Sequence, residues 1–302
     1  MPIKSCTLPN GGGSGYQWGN HGTCYRSRAK AESQAAAAHA NGFTGDSKPA
    51  PKLLKPIPPN AGIEAAYRKQ ITALLDEMTS SVEYWLKAGY RKNEPLMAQD
   101  SVSTDMQKII QALTKRFIKK FDAFAPGAAE MFADKSFKHT DRTMMLHLKK
   151  MGWTVPFKVN KPMQDALNAT IHENVGLIRS IPQEYLTDIE GAVMRSYAVG
   201  HDLKTMTDEI QRIGGVTRRR AAFIAHDQTS KANSVATRAR SVALGFTKAV
   251  WRHSKGGKEP RPSHVAANGT VYEQAKGLLI DGEMILPGTL PNCKCLGVIL
   301  VE

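Results

Sequence analysis

From residue 62 to residue 244 the apolar side chains recur at intervals of three and four, and this spacing restricts most of the chain to amphipathic helices. Ile71, Leu74, Leu75, Met78, Val82 and Trp85 share one face of a helix over 63–90, and Ile109, Ile110, Leu113, Phe117, Ile118 and Phe121 do the same over 106–124. The pattern returns over about 142–151. Further helices are expected at 164–178, 182–199 and 203–213, with Pro182 suited to a first turn. Ala221, Ile224, Gln228, Ala232, Val235, Ala239 and Val242 form a stripe over 217–244, which Thr217 is placed to cap. Such faces call for a helical bundle, and an aromatic content of 7% fits a mainly helical chain.

The two ends break the periodicity. Residues 1–45 read as a separate module: Gly11, Gly12, Gly13 and Gly15 lie between Cys6 and Tyr16-Gln17-Trp18 as in a hairpin, and an Ala-rich helix over 26–43 stops at Asn41-Gly42. A Pro-rich linker is assigned to 46–61, because its prolines remove donors and fix φ, barring a helix or a central strand. The helical region is assigned to 62–152. A β-like run at 153–159 opens the last segment, 153–302, whose helices extend to 245. Beyond it Ala249-Val250-Trp251, Thr270-Val271-Tyr272 and 296–301 are strand-like, giving a β-rich unit at 246–302 in which Trp251, Tyr272, Cys293 and Cys295 should lie together on a shared sheet. The fold class expected is therefore α+β, with a mainly helical central region, a small C-terminal β-rich unit and a small N-terminal hairpin-helix module.

Composition narrows the function classes. A length of 302 residues suits about two domains with self-sufficient cores, and 41% hydrophobic with 23% charged residues excludes a disordered or fibrous chain. No stretch approaches the ~20 apolar residues of a membrane-spanning helix, and the first residues lack the apolar core of a signal peptide, so a cytoplasmic protein with reduced thiols is expected. Cys6, Cys24, Cys293 and Cys295 are too few for a disulfide scaffold and direct attention to a metal. Lys and Arg outnumber Asp and Glu by 41 to 27, a formal charge of +14, which favours contact with polyanions through counterion release.

One motif order is more specific. NVGLIRSIPQEY from Asn174, an inter-helical Gly-Gly, TRRRAAFIAHDQTSKAN, WRHSKGGKEPRPSHVAANG and PGTLPNCKC follow one another. This order resembles the head morphogenesis proteins of tailed bacteriophages related to phage Mu protein F, closely over roughly the last 130 residues and more loosely from about residue 62. The matching positions are Asp227, Gln228, Trp251, Arg261, His264, Gly269, Asn292, Cys293 and Cys295. The resemblance implies a non-enzymatic minor capsid protein, portal-associated and acting in virion assembly. Its expected location is the virion, in the capsid interior or at the portal vertex, and the host cytoplasm during assembly. Its implied partners are the portal protein and the major capsid or scaffolding protein, with no membrane. The N-terminal module resembles an accessory module of phage structural proteins.

Several relatives in that family carry Cys-x-x-Cys and His-x-x-Cys-x-Cys, a spacing suited to zinc. Here Arg261 stands at the first Cys position, His264 at the second and Leu290 at the later His position. The candidate ligands left are His264, Cys293 and Cys295, with His253 as a fourth. A resident cofactor is not expected by default, and zinc is the one these donors would take. Cysteines two apart on a strand point to opposite faces, so Cys293 and Cys295 converge only if the Pro291-Asn292 turn distorts the backbone. Otherwise His264 hydrogen-bonds within the hairpin and the cysteines pack.

Arg218, Arg219 and Arg220 at an expected helix start, with Lys231, Arg238 and Arg240 after them, are candidates for non-specific DNA contact, against a solvated face or pairing with acidic groups. They support a second reading, a basic DNA-contacting protein packaged in the head, with ejection alongside the genome as a variant of it. A third is a metal-dependent nucleic-acid enzyme, for which Asp281 with Glu283 is the acidic pair near His264. His226 and Asp227, neighbours on a helix, diverge by about 100° and do not form an acid–base pair; Asp227, Gln228 and Thr229 are expected to hydrogen-bond towards the β-rich unit. Asp202 of His201-Asp202 reads as a helix cap. Ending at Glu302, the chain is not expected to carry a toxin enzyme after this segment.

Overall fold

A computed structural model describes residues 3–9, 12–19, 22–40, 52–93, 100–155, 159–198, 203–256 and 259–301. The chain divides into two compact units, one ending at residue 51 and one spanning 52–301. The α+β class stands, with long helices in the middle and small antiparallel sheets at both ends.

In the first unit β1 (Ile3–Thr7) pairs antiparallel with β2 (Ser14–Trp18), Ile3 facing Trp18, and α1 (Arg28–Ala40) follows. Gly15 is required here, since a Cβ would lie 2.7 Å from the Tyr25 carbonyl oxygen. Cys6 and Cys24 form a disulfide, which corrects the expectation of free thiols. The cause is local: Tyr16 and Tyr25 exchange backbone hydrogen bonds, and this pairing brings the Cys24 Cα to 6.0 Å from that of Cys6, within bonding reach. Gly11 and the Asn41-Gly42 stop lie outside the described residues.

The second unit is built on four long helices, α2 (Ala61–Asn93), α3 (Asp100–Lys150), α4 (Lys161–Ala198) and α5 (Leu203–Ala243). One core runs through all of them, including Tyr67, Met78, Phe117, Phe132, Tyr185, Ile210 and Ile224. Tyr67 stacks on Phe132 at 4.2 Å, and its hydroxyl donates to Asn174 Oδ1 on α4 at 2.8 Å. Asn60 caps α2, its Oδ1 accepting from the N–H groups of Gly62 and Ile63. The stripes expected from the sequence are largely buried, except that Trp85 and Val242 are exposed; after Val82, the buried face of α2 continues through Leu86.

The helices are fewer and longer than expected. Pro126 and Pro182 lie inside α3 and α4, so Pro182 does not open a helix, and Gly214-Gly215 lie inside α5. Thr217 is not a cap; its hydroxyl donates to the Ile213 carbonyl one turn back. Burial overrides these weak breakers, since Ile178, Ile181 and Tyr185 are sealed on either side of Pro182 and Gly214 is buried beside Thr79. The β-like run fails as well: residues 153–155 and 159 form no strand, and 156–158 lie outside the described residues, as do His201 and Asp202.

The Pro-rich stretch is not a free linker where it is described, from residue 52 onward. Lys52–Leu53 form β3, an edge strand antiparallel to β8 (Leu296–Val301), and the Leu54 N–H donates to the Ile299 carbonyl. Leu54 and Ile57 are buried with Met144, Leu148, Phe246 and Val301, and Asn233 of α5 donates to the Ile57 carbonyl at 2.8 Å. An edge strand uses one ladder only, so neighbouring prolines are tolerated. The sheet order is β3-β8-β4-β5, with β4 Lys248–Arg252 and β5 Val271–Glu273, and its register pairs Val250 with Val298, Trp251 with Gly297 and Ala249 with Tyr272. A short helix α6 (Pro262–Ala266) lies between β4 and β5, and a hairpin of β6 (Leu278–Ile280) and β7 (Glu283–Ile285) precedes β8.

Candidate functional site

Strand β4 carries Trp251, which has no exposed surface and anchors a cluster with Tyr272, Cys293 and Cys295. Its ring meets His264 edge-on at 5.2 Å and Tyr272 at 6.3 Å. His264 sits on α6 and is itself buried. The chain leaving the β6–β7 hairpin turns at Pro291-Asn292, where Asn292 takes a φ of +57°, before entering β8. Cys293 and Cys295 therefore lie before the strand, free of its alternation, and both face the same imidazole.

The Nδ1 of His264 lies 3.5 Å from Cys293 Sγ and 3.7 Å from Cys295 Sγ, and all three donor atoms fall within 4.8 Å of one another. The Gly288 N–H donates to Cys293 Sγ at 3.3 Å, while His264 Nε2 is buried without a hydrogen-bond partner among the described residues. The hydrogen bond from Cys295 pushes the Cys293 thiol down to about 5, and the same bond together with burial pushes Cys295 up. Two cysteine sulfurs and an imidazole nitrogen are a soft donor set, which fits a zinc ion.

Of the four candidate ligands the structure unites three. His253 lines the same cavity, of about 520 Å³, but its Nδ1 accepts from the Lys255 N–H and it stands outside the donor group. Arg261 donates to the Pro291 carbonyl at 2.9 Å, holding the cysteine loop rather than replacing a ligand. Gly269 has a φ of +90° and donates its N–H to the Trp251 carbonyl, closing the turn that returns the chain to β5. Of the acidic pair near His264, Asp281 accepts from Ser263 at 2.7 Å.

Asp227 reaches the β-rich unit, accepting the Asn292 N–H, whereas Gln228 bonds to Asn174 and Glu173 on α4, and Thr229 to Ala225 on its own helix. His226 turns away, to Glu64 on α2. Other ties from α5 went unread in the sequence. Ser234 donates to the Pro287 carbonyl, and Ser241 donates to the buried Gln274, whose amide donates to Phe246. Isolated polar residues on an apolar stripe give no such signal before their partners are known.

The basic residues of α5 do not form one face. Arg218, Arg219 and Arg220 are in mid-helix, where successive side chains diverge by about 100°. Arg218 pairs with Asp76, Arg220 with Glu184, Lys231 with Glu173, and Arg238 donates to the Gln274 carbonyl, while Arg219 is exposed. Arg240 is buried in a 2.6 Å pair with Asp141.

Residues 187–298, from the second half of α4 into β8, match the family described as Phage Mu protein F like protein. An uncharacterized protein of Haemophilus influenzae is 26% identical over 263 residues, a match that takes in 83% of this chain and 56% of that protein. The chain thus spans little more than half the length of that relative. No solved structure matches. No helix among the described residues is long and apolar enough to cross a membrane.

Proposed function

We propose that this chain, whose residues 187–298 are of the Mu F-like family of phage head proteins, is a minor head protein that acts without catalysis in procapsid assembly. The observation that carries the reading is where the family match falls: it takes in α5, β4, α6 and the cysteine loop, the parts joined by the Asp227–Asn292 and Arg261–Pro291 bonds. Those bonds hold a shape rather than assemble a nucleophile and base. In this reading the protein works by contact, with the portal protein and the major capsid or scaffolding protein as partners, at the portal vertex or inside the capsid.

Quantitative mass spectrometry of procapsids, mature heads and emptied particles tests this. The chain should be present at low copy number in procapsids, and particles assembled without it should lose head yield or infectivity. Its absence from all three particles would refute the proposal.

The DNA-contact reading is less favoured, because five of its six basic residues are engaged within the chain. The net charge of +14 still supports unspecific attraction to packed DNA.

A further inference from the structure

We infer that His264 Nδ1, Cys293 Sγ and Cys295 Sγ bind one zinc ion whose fourth coordination position opens on the adjoining cavity, where it takes an anionic ligand from outside the chain. The inference goes beyond the assembly role and does not depend on it. Two atoms that each stand ~2.0–2.3 Å from one tetrahedral ion are about 3.5 Å apart. The His264 nitrogen stands 3.5 Å and 3.7 Å from the two sulfurs, close to the spacing that a shared tetrahedral ion requires, and all three donors lie within 4.8 Å of one another. All three residues are buried, and all three line one cavity.

That cavity, of about 520 Å³, is also lined by His253, Glu259, Arg261 and Lys294. Three protein ligands with a free position is the open arrangement of zinc chemistry, in contrast to closed four-ligand structural sites. Among the described residues no fourth donor joins the triad: Arg261 is committed to the Pro291 carbonyl, and His253 lies outside the donor group. Arg261 and Lys294 are set against one carboxylate, Glu259, so the cavity favours an anion. A carboxylate, supplied by a small molecule or by an acidic side chain of a partner, has the chemistry to occupy it.

The test uses the full chain, expressed with added zinc and purified without chelator. Elemental analysis should find one zinc per chain. Replacement by Co²⁺ should give thiolate charge-transfer absorption and the visible bands of a tetrahedral ion. Cys293→Ser and Cys295→Ser should each abolish stoichiometric binding. Should these variants fail to fold by circular dichroism, His264→Cys, which keeps a soft donor in place, should bind while His264→Ala does not. His253→Ala should retain one metal per chain, and millimolar acetate or azide should shift the visible cobalt bands. Absence of stoichiometric metal, or metal retained in both cysteine variants or in a folded His264→Ala chain, would overturn the site. Loss of metal in His253→Ala, or cobalt bands indifferent to both anions, would overturn the open position.

Discussion

The side-chain carboxylate of Asp227 on α5 accepts the backbone N–H of Asn292, so a helix and the turn ahead of the cysteines are joined across 65 residues of sequence. The bond acts where the backbone is least comfortable, since Asn292 is one of the non-glycine residues with positive φ. Asn tolerates that region better than most residues, and the carboxylate helps to hold it there.

Asp227→Ala should therefore loosen the loop more than the fold. A hydrogen bond to a charged group contributes about 1.5–3 kcal/mol, and one near the surface stands at the low end. Hydrogen exchange should rise at amides 288–295 and stay unchanged in α2 and α3. Asn292→Val should act in the same place, at a cost of about 1–2 kcal/mol for a β-branched residue in the left-handed region, and Asn292→Gly should be tolerated. Unaltered exchange in the loop of both Asp227→Ala and Asn292→Val would show that the turn holds itself.

The pair Asp141–Arg240 leads to a sharper expectation. Both side chains are buried, at 8% and 3% exposure, and burial pushes the Asp141 carboxyl up despite the pull of Arg240. The cost of desolvation thus exceeds the attraction, a situation in which breaking a pair is worse than removing it. Asp141→Ala should cost about 3–5 kcal/mol by removing the carboxylate opposite a buried guanidinium, while Asp141→Leu with Arg240→Met should be near neutral. The sign of the pH effect follows. A carboxyl held above its ordinary value keeps its proton longer in the folded state, so its contribution is complete below that ordinary value and is lost as the pH rises through the raised one. Denaturant titrations across the acidic range should show that slope in the parent chain and a flatter one in the double variant.

How much of this was legible depended on whether a signal was local. The 3–4 spacing marked a stretch of every long helix but not its length, and the apolar runs around Trp251 and at 296–301 placed the shared sheet, because a buried face writes its period into neighbouring residues. The motif order located His264, Cys293 and Cys295, and the condition for their convergence, a distorted Pro291-Asn292 turn, is met by one positive φ. What failed was either overridden from a distance or depended on a remote partner. Pro182 and Gly214 looked like boundaries because their cost is local, whereas the packing that outweighs it is tertiary. Arg240 looked like a ligand for phosphate until Asp141, from another helix, took it.

Pro126 and Gly127 in the interior of α3 test that override. Pro126 is exposed, and a Cβ on Gly127 would meet nothing within 4 Å, so neither residue is kept there by packing. Pro inside a helix removes an i−4 hydrogen bond and costs up to about 3 kcal/mol relative to Ala, and Gly costs about 0.5–1 kcal/mol. Pro126→Ala and Gly127→Ala should each raise the midpoint of unfolding, the first by more. A destabilised Pro126→Ala chain would mean that α3 is bent there to fit its neighbours, and that the proline sets the bend.

The Cys6–Cys24 bond should be the principal support of the first unit, whose described residues make one hairpin and one helix with few buried apolar side chains, among them Trp18 and Ala31. Closing a loop over a sequence separation of 18 removes about 3 kcal/mol of chain entropy from the unfolded state, a large share of what so small a core can supply. Reduction with dithiothreitol, or Cys6→Ser with Cys24→Ser, should therefore unfold residues 3–40 while α2–α5 and the sheet stay folded. Hydrogen exchange followed by mass spectrometry separates the two units peptide by peptide. Protection that persists over 3–40 after reduction would show that the hairpin and α1 hold without the bond. Loss of protection in α2–α5 on the same treatment would show that the two units do not fold independently.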